Sequence, residues 1–351
     1  MTLKAPFPWF GGKSQCAPKV WDALGNPDNY IEPFAGSLAV LLARPHSPRV
    51  ETVNDLDHYL ANFWRALAAA PAEVARYANN PVNEADLTAR HIWLVSTGKE
   101  RIARILGDPE FYDAKVAGWW VWGLSSWIGS GWCSGAGPWG AVDGMLTRSG
   151  GAARQLPHLT NDGQGVNRKR PHLESSKGTE RDSIHAEATS AGTATGEAEL
   201  FAYLNTLASR LRYVRVCCGD WRRVVTPGAL SSGNTVGVFL DPPYDTDIRD
   251  GTLYTTDAGG DHVSADVAQW CMDNQDNQRY RIVLAGYAGE HNLPGWRQVR
   301  WSARRAYGTA NGAQSANTEN RHLETLWLSP SCDATAPARP QQAGLFEEAE
   351  E

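Results

Sequence analysis

The segment that most constrains the fold is a short apolar run that ends in two consecutive prolines. Residues 238–240 are Val, Phe and Leu, and Asp241, Pro242, Pro243 and Tyr244 follow them. The apolar run predicts a buried strand, which must stop here because proline has no N–H to donate to a β-ladder. The carboxyl edge of a parallel α/β sheet is where such folds bind ligands. The sequence therefore predicts a rigid site at this strand end.

The groups at this strand end suit chemistry on a planar amine. Asp241 and the carbonyl of Pro242 are both acceptors, so together they can hold the two hydrogens of an amino group. Tyr244 offers an aromatic face that can stack on a planar ring. The pattern favours a nucleobase amine as the ligand, while a proline turn with a surface aspartate explains the four residues alone equally well.

Two glycines near the amino terminus indicate a second ligand-binding segment. Gly11 and Gly12 follow Trp9 and precede Lys13 and a predicted helix over residues 14–24. Glycine lets backbone approach a ligand closely, and the lysine can meet a carboxylate there. A glycine turn that only caps the helix is the alternative interpretation.

The next two segments have the order of a nucleotide-binding βα unit. Residues 30–37 predict a strand, a tight turn at Gly36 and then a helix. A second strand over residues 50–55 ends in Asp55, about 20 residues after the turn, the spacing expected for a carboxylate that binds ribose hydroxyls. Asp55 is also a candidate N-cap for a helix over residues 56–69, and the two roles are compatible.

In this order, the segments resemble the Dam-like family of adenine-specific DNA methyltransferases, which use S-adenosyl-L-methionine to methylate the N6 amine of adenine. The resemblance implies an α/β fold with a Rossmann-like methyltransferase sheet and an inserted, mainly helical or loop, target-recognition region. The implied catalytic residues are Asp241, Pro242, Pro243 and Tyr244. The implied cofactor-binding residues are Trp9, Gly11, Gly12, Lys13, Glu32, Phe34, Gly36, Asp55, Asp220 and Trp221.

The chain departs from the family pattern at two places. Trp221 stands where relatives usually have Phe, in the strand-end Asp-aromatic pair that meets the adenine of the cofactor. Leu38 stands where relatives usually carry a second glycine. This departure bears on the backbone path around the methionine end of the cofactor. It does not by itself remove the site, because Leu38 can point into the core as the helix begins.

By resemblance, the catalytic domain is interrupted. Residues 1–68 and 198–330 are predicted to form it, and residues 69–197 the target-recognition insertion. Within the insertion, residues 147–197 are poor in large apolar side chains, which predicts a mobile loop. Residues 331–351 read as a flexible tail.

The net charge of −6 argues against a protein that coats DNA generally, but a local basic face is sufficient for a DNA enzyme. The candidate DNA-binding residues are Arg168, Lys169, Arg170, Trp132 and Trp139. A second basic cluster consists of Arg210, Arg212, Arg215, Arg222 and Arg223. In the competing interpretation, the basic residues of both sets are only solvated surface charges, and the tryptophans pack in a hydrophobic core. Trp119, Trp120 and Trp122 are expected to pack in a hydrophobic core.

Composition bounds the class of protein further. No apolar run approaches the length of a membrane span, no signal peptide precedes the domain, and no cysteine or histidine spacing indicates a metal site. The spacing of the six cysteines does not suggest a disulfide framework, which fits a reduced, cytoplasmic protein. In the tail, residues 342–346 resemble peptides that bind the bacterial sliding clamp, although a frayed tail is the simpler interpretation.

The resemblance predicts direct methyl transfer to an adenine that has flipped out of the duplex and stacks on Tyr244. Cytosine N4 carries a similar amine, so a DNA cytosine N4-methyltransferase is one alternative. The other is a catalytically silent DNA-binding protein that keeps the fold.

Overall fold

The computed structural model of the protein describes residues 3–7, 9, 12–108, 110–127, 132–133, 139–142, 145–148, 192–243, 260–301 and 324–332. The α-helices are α1 Ala17–Leu24, α2 Ala39–Leu42, α3 His58–Ala69, α4 Pro71–Ala78, α5 Glu84–Trp93, α6 Lys99–Ile102, α7 Ala114–Ser126, α8 Gly192–Leu211 and α9 Gly260–Asn274. The strands are β1 Asn29–Glu32, β2 Val50–Asp55, β3 Trp139–Val142, β4 Met145–Arg148, β5 Val214–Cys218, β6 Val236–Leu240, β7 Tyr280–Tyr287, β8 Arg297–Arg300 and β9 Glu324–Leu328.

One seven-stranded sheet organises the described residues. Its strand order is β5-β2-β1-β6-β7-β9-β8. The first five of these strands run parallel, and β9 is antiparallel to both β7 and β8. From β1 the chain moves outward through β2 to β5, and it then returns to the other side of β1 to form β6. The strand order therefore reverses between β1 and β6, where open α/β sheets bind their ligands.

The central strands β6 and β7 are covered on both faces of the sheet, which accounts for their near-continuous apolar residues. All five residues of β6 are buried. Phe239 packs in the larger hydrophobic cluster together with helices α1, α3, α7 and α8, while Val238 and Leu240 pack on the opposite face beside α9. The mixed α/β fold with a methyltransferase-like sheet, predicted from the sequence, is confirmed.

The helices of the insertion pack directly onto the sheet's own helices. Trp120 on α7 is 2 % exposed, and its ring lies 5.8 Å from that of Phe63 on α3. Trp122 is also buried, with Trp119 partly so, as expected for core residues. The helical part of residues 69–197 therefore shares a core with the predicted catalytic domain. The proposed division into domains stays a prediction.

Two expectations about secondary structure need correction. Residues 323–328, with Leu, Thr and Trp, predict a strand that closes the sheet, but β9 lies inside the sheet and β8 forms its edge. Strand β8 has little hydrophobic pattern from which to predict it, since its residues are exposed or only half-buried. Helix α8 begins at Gly192, within the range predicted to be mobile. The rest of that prediction, over residues 149–191, lies outside the described residues.

Among the described residues, no helix is long and apolar enough to span a membrane. All six cysteines are free.

Candidate active site

The candidate site lies where β1 and β6 end side by side. These strands pair in parallel from Asn29 and Val236 onward, so the turn after Glu32 and the residue after Leu240 emerge at the same edge. Asp241 is the first residue beyond β6 and is partly exposed. The predicted glycine turn and catalytic aspartate are thereby neighbours, although they are about 200 residues apart in sequence.

The glycine turn after β1 is held by backbone hydrogen bonds and by close packing. Gly36 has a φ of +46°, and its N–H donates to Asp55 Oδ2 at 2.9 Å. A Cβ at this position would lie 2.7 Å from Nε1 of Trp9, so only glycine fits. Trp64 on α3 donates its indole N–H to the Gly36 carbonyl at 3.2 Å. Two tryptophans and one aspartate therefore fix the path of this turn.

The structure separates the two roles that the sequence left open for Asp55. The N-cap of α3 is Asp57, whose carboxylate accepts from the N–H groups of Tyr59 and Leu60. Asp55 instead accepts from Gly36 and from the Asp57 N–H, so it braces the glycine turn. Burial raises the pKa of Asp55 to about 6, an increase that the backbone hydrogen bonds only partly offset. A carboxylate has about four acceptor sites, so Asp55 has acceptor capacity beyond its hydrogen bonds with the backbone of Gly36, Leu56 and Asp57.

Leu38 takes the left-handed conformation that a glycine adopts readily. Its φ is +55°, and its side chain is fully buried, as expected for a residue that points into the core. A left-handed non-glycine residue costs about 1–2 kcal/mol, which the burial of a leucine side chain offsets. The turn therefore keeps a glycine-like backbone without the glycine.

A buried lysine connects the amino-terminal segment to Asp241. Lys13 is 5 % exposed, and its Nζ lies 3.0 Å from Asp241 Oδ1. Its backbone carbonyl accepts from Ala17 N–H in the first turn of α1. The same Nζ lies 4.0 Å from Glu324 Oε2 at the start of β9 and 5.9 Å from the ring centre of Trp301. In the structure the carboxylate partner of Lys13 is the protein's own Asp241, and the predicted contact of Lys13 with a ligand stays a prediction.

Glu32 lies beneath this site and faces the core. It is 2 % exposed, and the hydroxyl of Tyr30 donates to its Oε2 at 2.9 Å. Burial raises the pKa of Glu32 to about 8, and the nearby charge of Asp241 contributes to the increase. At neutral pH this carboxyl is therefore largely protonated. Its predicted contact with the cofactor stays a prediction.

An aromatic pair flanks the other side of the glycine turn. The rings of Phe34 and Trp221 have centroids 6.0 Å apart and planes tilted by 35°. Trp221 is buried, while the neighbouring Asp220 is exposed and accepts from the Arg222 N–H. Phe34 is only half-buried, so its ring is available beside an exposed carboxylate. An aromatic face next to an acceptor suits the adenine ring of a nucleotide cofactor.

The other predicted site residues are distributed as follows. Gly12, Pro242 and Pro243 are described, and the two prolines follow Asp241 at the sheet edge. Gly11, Tyr244, Arg168, Lys169 and Arg170 lie outside the described residues, as do residues 342–346. Trp139 opens β3, and nothing is described of its side chain.

Trp132 requires a correction. It is 6 % exposed, its indole N–H donates to the Trp120 carbonyl, and its ring packs beside Trp127 and His91. This residue packs in the core and presents no ring to a DNA surface. Within the second basic cluster, Arg210 forms a two-point ion pair with buried Glu51, and Arg222 pairs with Asp220.

Three residues of the site were not assigned to it from the sequence. Trp64 appears in the sequence as one apolar residue of a helix, and Asp57 as a second acid beside Asp55. Glu324 belongs to a strand whose position in the sheet cannot be read from its own residues. Only the tertiary arrangement brings Glu324 within reach of Lys13.

The mixed seven-stranded sheet is consistent with the α/β fold of S-adenosylmethionine-dependent methyltransferases. Residues 9–97 match the sequence model of a family described as D12 class N6 adenine-specific DNA methyltransferase. The predicted family resemblance is confirmed by this match, which indicates an adenine-specific DNA methyltransferase and hence a DNA substrate. No curated protein matches the chain. In the described residues, no group of histidine, cysteine and acidic side chains is arranged to hold a metal.

Proposed function

We propose that the protein is a site-specific DNA methyltransferase that moves a methyl group from S-adenosyl-L-methionine to the N6 amine of an adenine flipped out of the duplex. The observation that carries the proposal is the buried Lys13–Asp241 pair at the carboxyl end of β6, beside the glycine turn of β1. Acceptor chemistry for an amine thereby adjoins a turn suited to a nucleotide cofactor.

The residues of the glycine turn fit that cofactor. Gly36 keeps its left-handed backbone close against the indole of Trp9, Asp55 has acceptor capacity for ribose hydroxyls beyond its backbone hydrogen bonds, and Phe34 has a partly exposed ring. When bound, S-adenosylmethionine supplies a methyl group made electrophilic by a positively charged sulfur. Activation of the target amine is the role of the residues at the end of β6.

Those residues act on the weak nucleophile. The lone pair of the adenine amine is delocalised into the ring, which lowers its reactivity. Asp241 and the Pro242 carbonyl accept one amine hydrogen each, which favours a pyramidal nitrogen with its lone pair directed at the methyl group. A new N–C bond forms as the C–S bond breaks, and the methylated nitrogen loses one proton to water. Catalysis is thus mainly positioning and preorganised electrostatics.

The remaining parts of the proposal concern DNA. The target amine cannot be reached inside a stacked duplex, so the base must leave it, with Tyr244 as its stacking partner. We assign target recognition to residues 69–197, with contacts from Arg168, Lys169, Arg170 and Trp139. Binding of a sliding clamp by residues 342–346 remains a subsidiary prediction.

The test is transfer of labelled methyl groups to duplex DNA by the wild type and by Asp241→Asn. The variant keeps the shape of the side chain but loses its charge. We expect label in N6-methyladenine and a loss of about a hundredfold to a thousandfold in the variant. Asp273→Asn, an exposed aspartate on α9, is the matched control and should retain wild-type activity.

Other outcomes of this experiment would point elsewhere. Label in N4-methylcytosine would support the same mechanism but would show that the substrate is cytosine instead of adenine. If the wild type transferred no label to varied genomic DNA and bound no S-adenosylmethionine, the silent DNA-binding protein would be the better account.

A further inference from the structure

Glu324 stands next to the ion pair of the candidate site. It is the first residue of β9, and its backbone carbonyl accepts from the Trp301 N–H at 3.0 Å, which fixes the strand's start beside the end of β8. Its residue exposure is 8 %, so its carboxylate is withdrawn from most solvent. Lys13, Asp241 and Glu324 come from three distant parts of the sequence and form one cluster, in which Lys13 and Glu324 are buried and Asp241 is partly exposed.

The cluster holds one positive and two negative side chains at unequal distances. Lys13 Nζ is within hydrogen-bond distance of Asp241 at 3.0 Å, but 4.0 Å from Glu324. Glu324 therefore acts on Lys13 through its charge at slightly longer range. Because both lysine and glutamate are nearly buried, solvent screens this attraction weakly.

We propose that Glu324 is a positioning residue that acts through Lys13 to set how strongly Lys13 holds the Asp241 carboxylate. This inference rests on the proposed methyl transfer. An ammonium that is shared between two carboxylates orients Asp241 without fully neutralising it. Asp241 then keeps the electron density with which it accepts a hydrogen from the target amine.

The surroundings of Asp241 make its charge sensitive to Glu324. Among the described residues, the other ionisable groups that face it are Glu32 on β1 and Cys16 ahead of α1. Burial raises the pKa of both groups, so at neutral pH Cys16 is uncharged and Glu32 largely so. Lys13 and Glu324 are thus the principal charges in the described part of the site that can tune Asp241.

Two substitutions should move the titration of Asp241 in opposite directions. Glu324→Gln removes a negative charge near Lys13 and Asp241 and should move the titration to lower pH by about one unit. Lys13→Met removes the positive charge, leaves two carboxylates together and should move it to higher pH. A residue that only supports the fold would produce no such pair of opposite shifts.

The experiment has one readout that needs no activity. The full-length protein is labelled with ¹³C at aspartate carboxyl carbons, and the Asp241 signal is assigned by its loss in Asp241→Asn. We expect its titration to move down in Glu324→Gln and up in Lys13→Met. Glu290→Gln neutralises another buried glutamate near the end of β7 and should leave the titration unchanged.

The second readout is the rate of a single methyl-transfer turnover on DNA, measured against pH with saturating S-adenosylmethionine. In Glu324→Gln we expect a roughly tenfold lower plateau and an acid limb at lower pH, with cofactor affinity within about twofold of wild type. An unshifted Asp241 titration in Glu324→Gln would overturn the inference, whatever the rate. Shifted titrations without any methyl transfer by the wild type would instead overturn the proposed function and leave the electrostatic coupling standing.

Discussion

The turn after β1 and the end of β6 lie side by side at one edge of the sheet, yet their functional groups are held by different means. Around Gly36, the position of the chain is set by backbone hydrogen bonds and by two tryptophan rings. Around Asp241, it is set by charged side chains that come from the segment before α1 and from β9. The turn at Gly36 is therefore the shape-defined half of the site, and the end of β6 at Asp241 is the charge-defined half.

This difference determines how each half responds to mutation. The glycine turn should be sensitive to a single added methyl group, and it should be largely indifferent to pH above the pKa of about 6 at which Asp55, which braces it, ionises. A charge-defined site should tolerate small changes of volume but respond to pH and to loss of a charge. Substitutions can test the glycine turn and the charged cluster at the end of β6 separately, and Glu32 lies between the two.

The largest effect is expected from a single methyl group in the shape-defined half. Gly36→Ala places a Cβ 2.7 Å from Trp9 Nε1 at a residue whose φ is +46°. The left-handed conformation alone costs alanine about 1–2 kcal/mol, and the contact with the indole adds to that. With about 2 kcal/mol lost, affinity for S-adenosylmethionine should fall about 30-fold, which calorimetric titration would measure.

Gly228→Ala is the matched control for this substitution. An added Cβ at Gly228 meets no atom within 4 Å, and its backbone is right-handed helical. It should bind the cofactor as the wild type does. If Gly36→Ala bound equally well, the turn would not be the rigid element described above.

The next effect is a dependence of stability on pH that arises from Glu32. Its pKa rises from an ordinary value of 4.5 to about 8 on folding, because burial disfavours the charged form. Between these values the folded protein keeps a proton that the unfolded chain releases, so stability falls as the pH rises. The slope from this one group approaches about 1.4 kcal/mol per pH unit. The substitution Glu32→Gln removes this contribution to the pH dependence of stability.

Denaturant unfolding at several pH values between 5.5 and 7.5 measures this contribution. The free energy of unfolding of Glu32→Gln, relative to wild type, should increase steadily across that range. Glu199→Gln replaces an exposed glutamate on α8 and should follow the wild-type curve. Parallel curves for wild type and Glu32→Gln would show that Glu32 is ionised in the folded protein.

The same contrast explains which parts of the site could be predicted from sequence. The glycine turn is formed by residues that are close together in the chain. The local sequence pattern was therefore sufficient to select Gly36 and Asp55 as candidate site residues. The apolar run and two prolines likewise predict β6 and the position of Asp241 at its end. Local rules of this kind were sufficient for the central strands of the sheet.

The parts that the sequence left undetermined depend on contacts between distant residues. Nothing in residues 324–328 indicates that β9 enters between β7 and β8, so Glu324 could not be joined to Lys13. Asp55 was one candidate for the N-cap of α3, but Asp55 and Asp57 are both followed by helix-forming residues, and only the geometry selects Asp57. Trp132 was expected to face DNA because its glycine-rich context resembles a surface loop, but the ring is buried beside Gly123 on α7.

The smallest effect should come from the hydrogen bond that Trp64 makes to the glycine turn. Trp64→Phe keeps a buried aromatic ring but removes the indole N–H that donates to the Gly36 carbonyl. A hydrogen bond of this type is worth about 1 kcal/mol, so affinity for S-adenosylmethionine should fall about fivefold. Stability should decrease as well, because a smaller ring leaves space in the core.

Trp21→Phe separates these two consequences. Trp21 is a buried tryptophan on α1 that donates to the Val40 carbonyl at 2.7 Å, so the substitution removes the same type of bond and the same volume away from the turn. Both variants should lose similar stability in denaturant unfolding, while only Trp64→Phe weakens cofactor binding. Equal cofactor affinities in the two variants would mean that Trp64 supports the core alone, and that Trp9 and Asp55 suffice to hold the glycine turn.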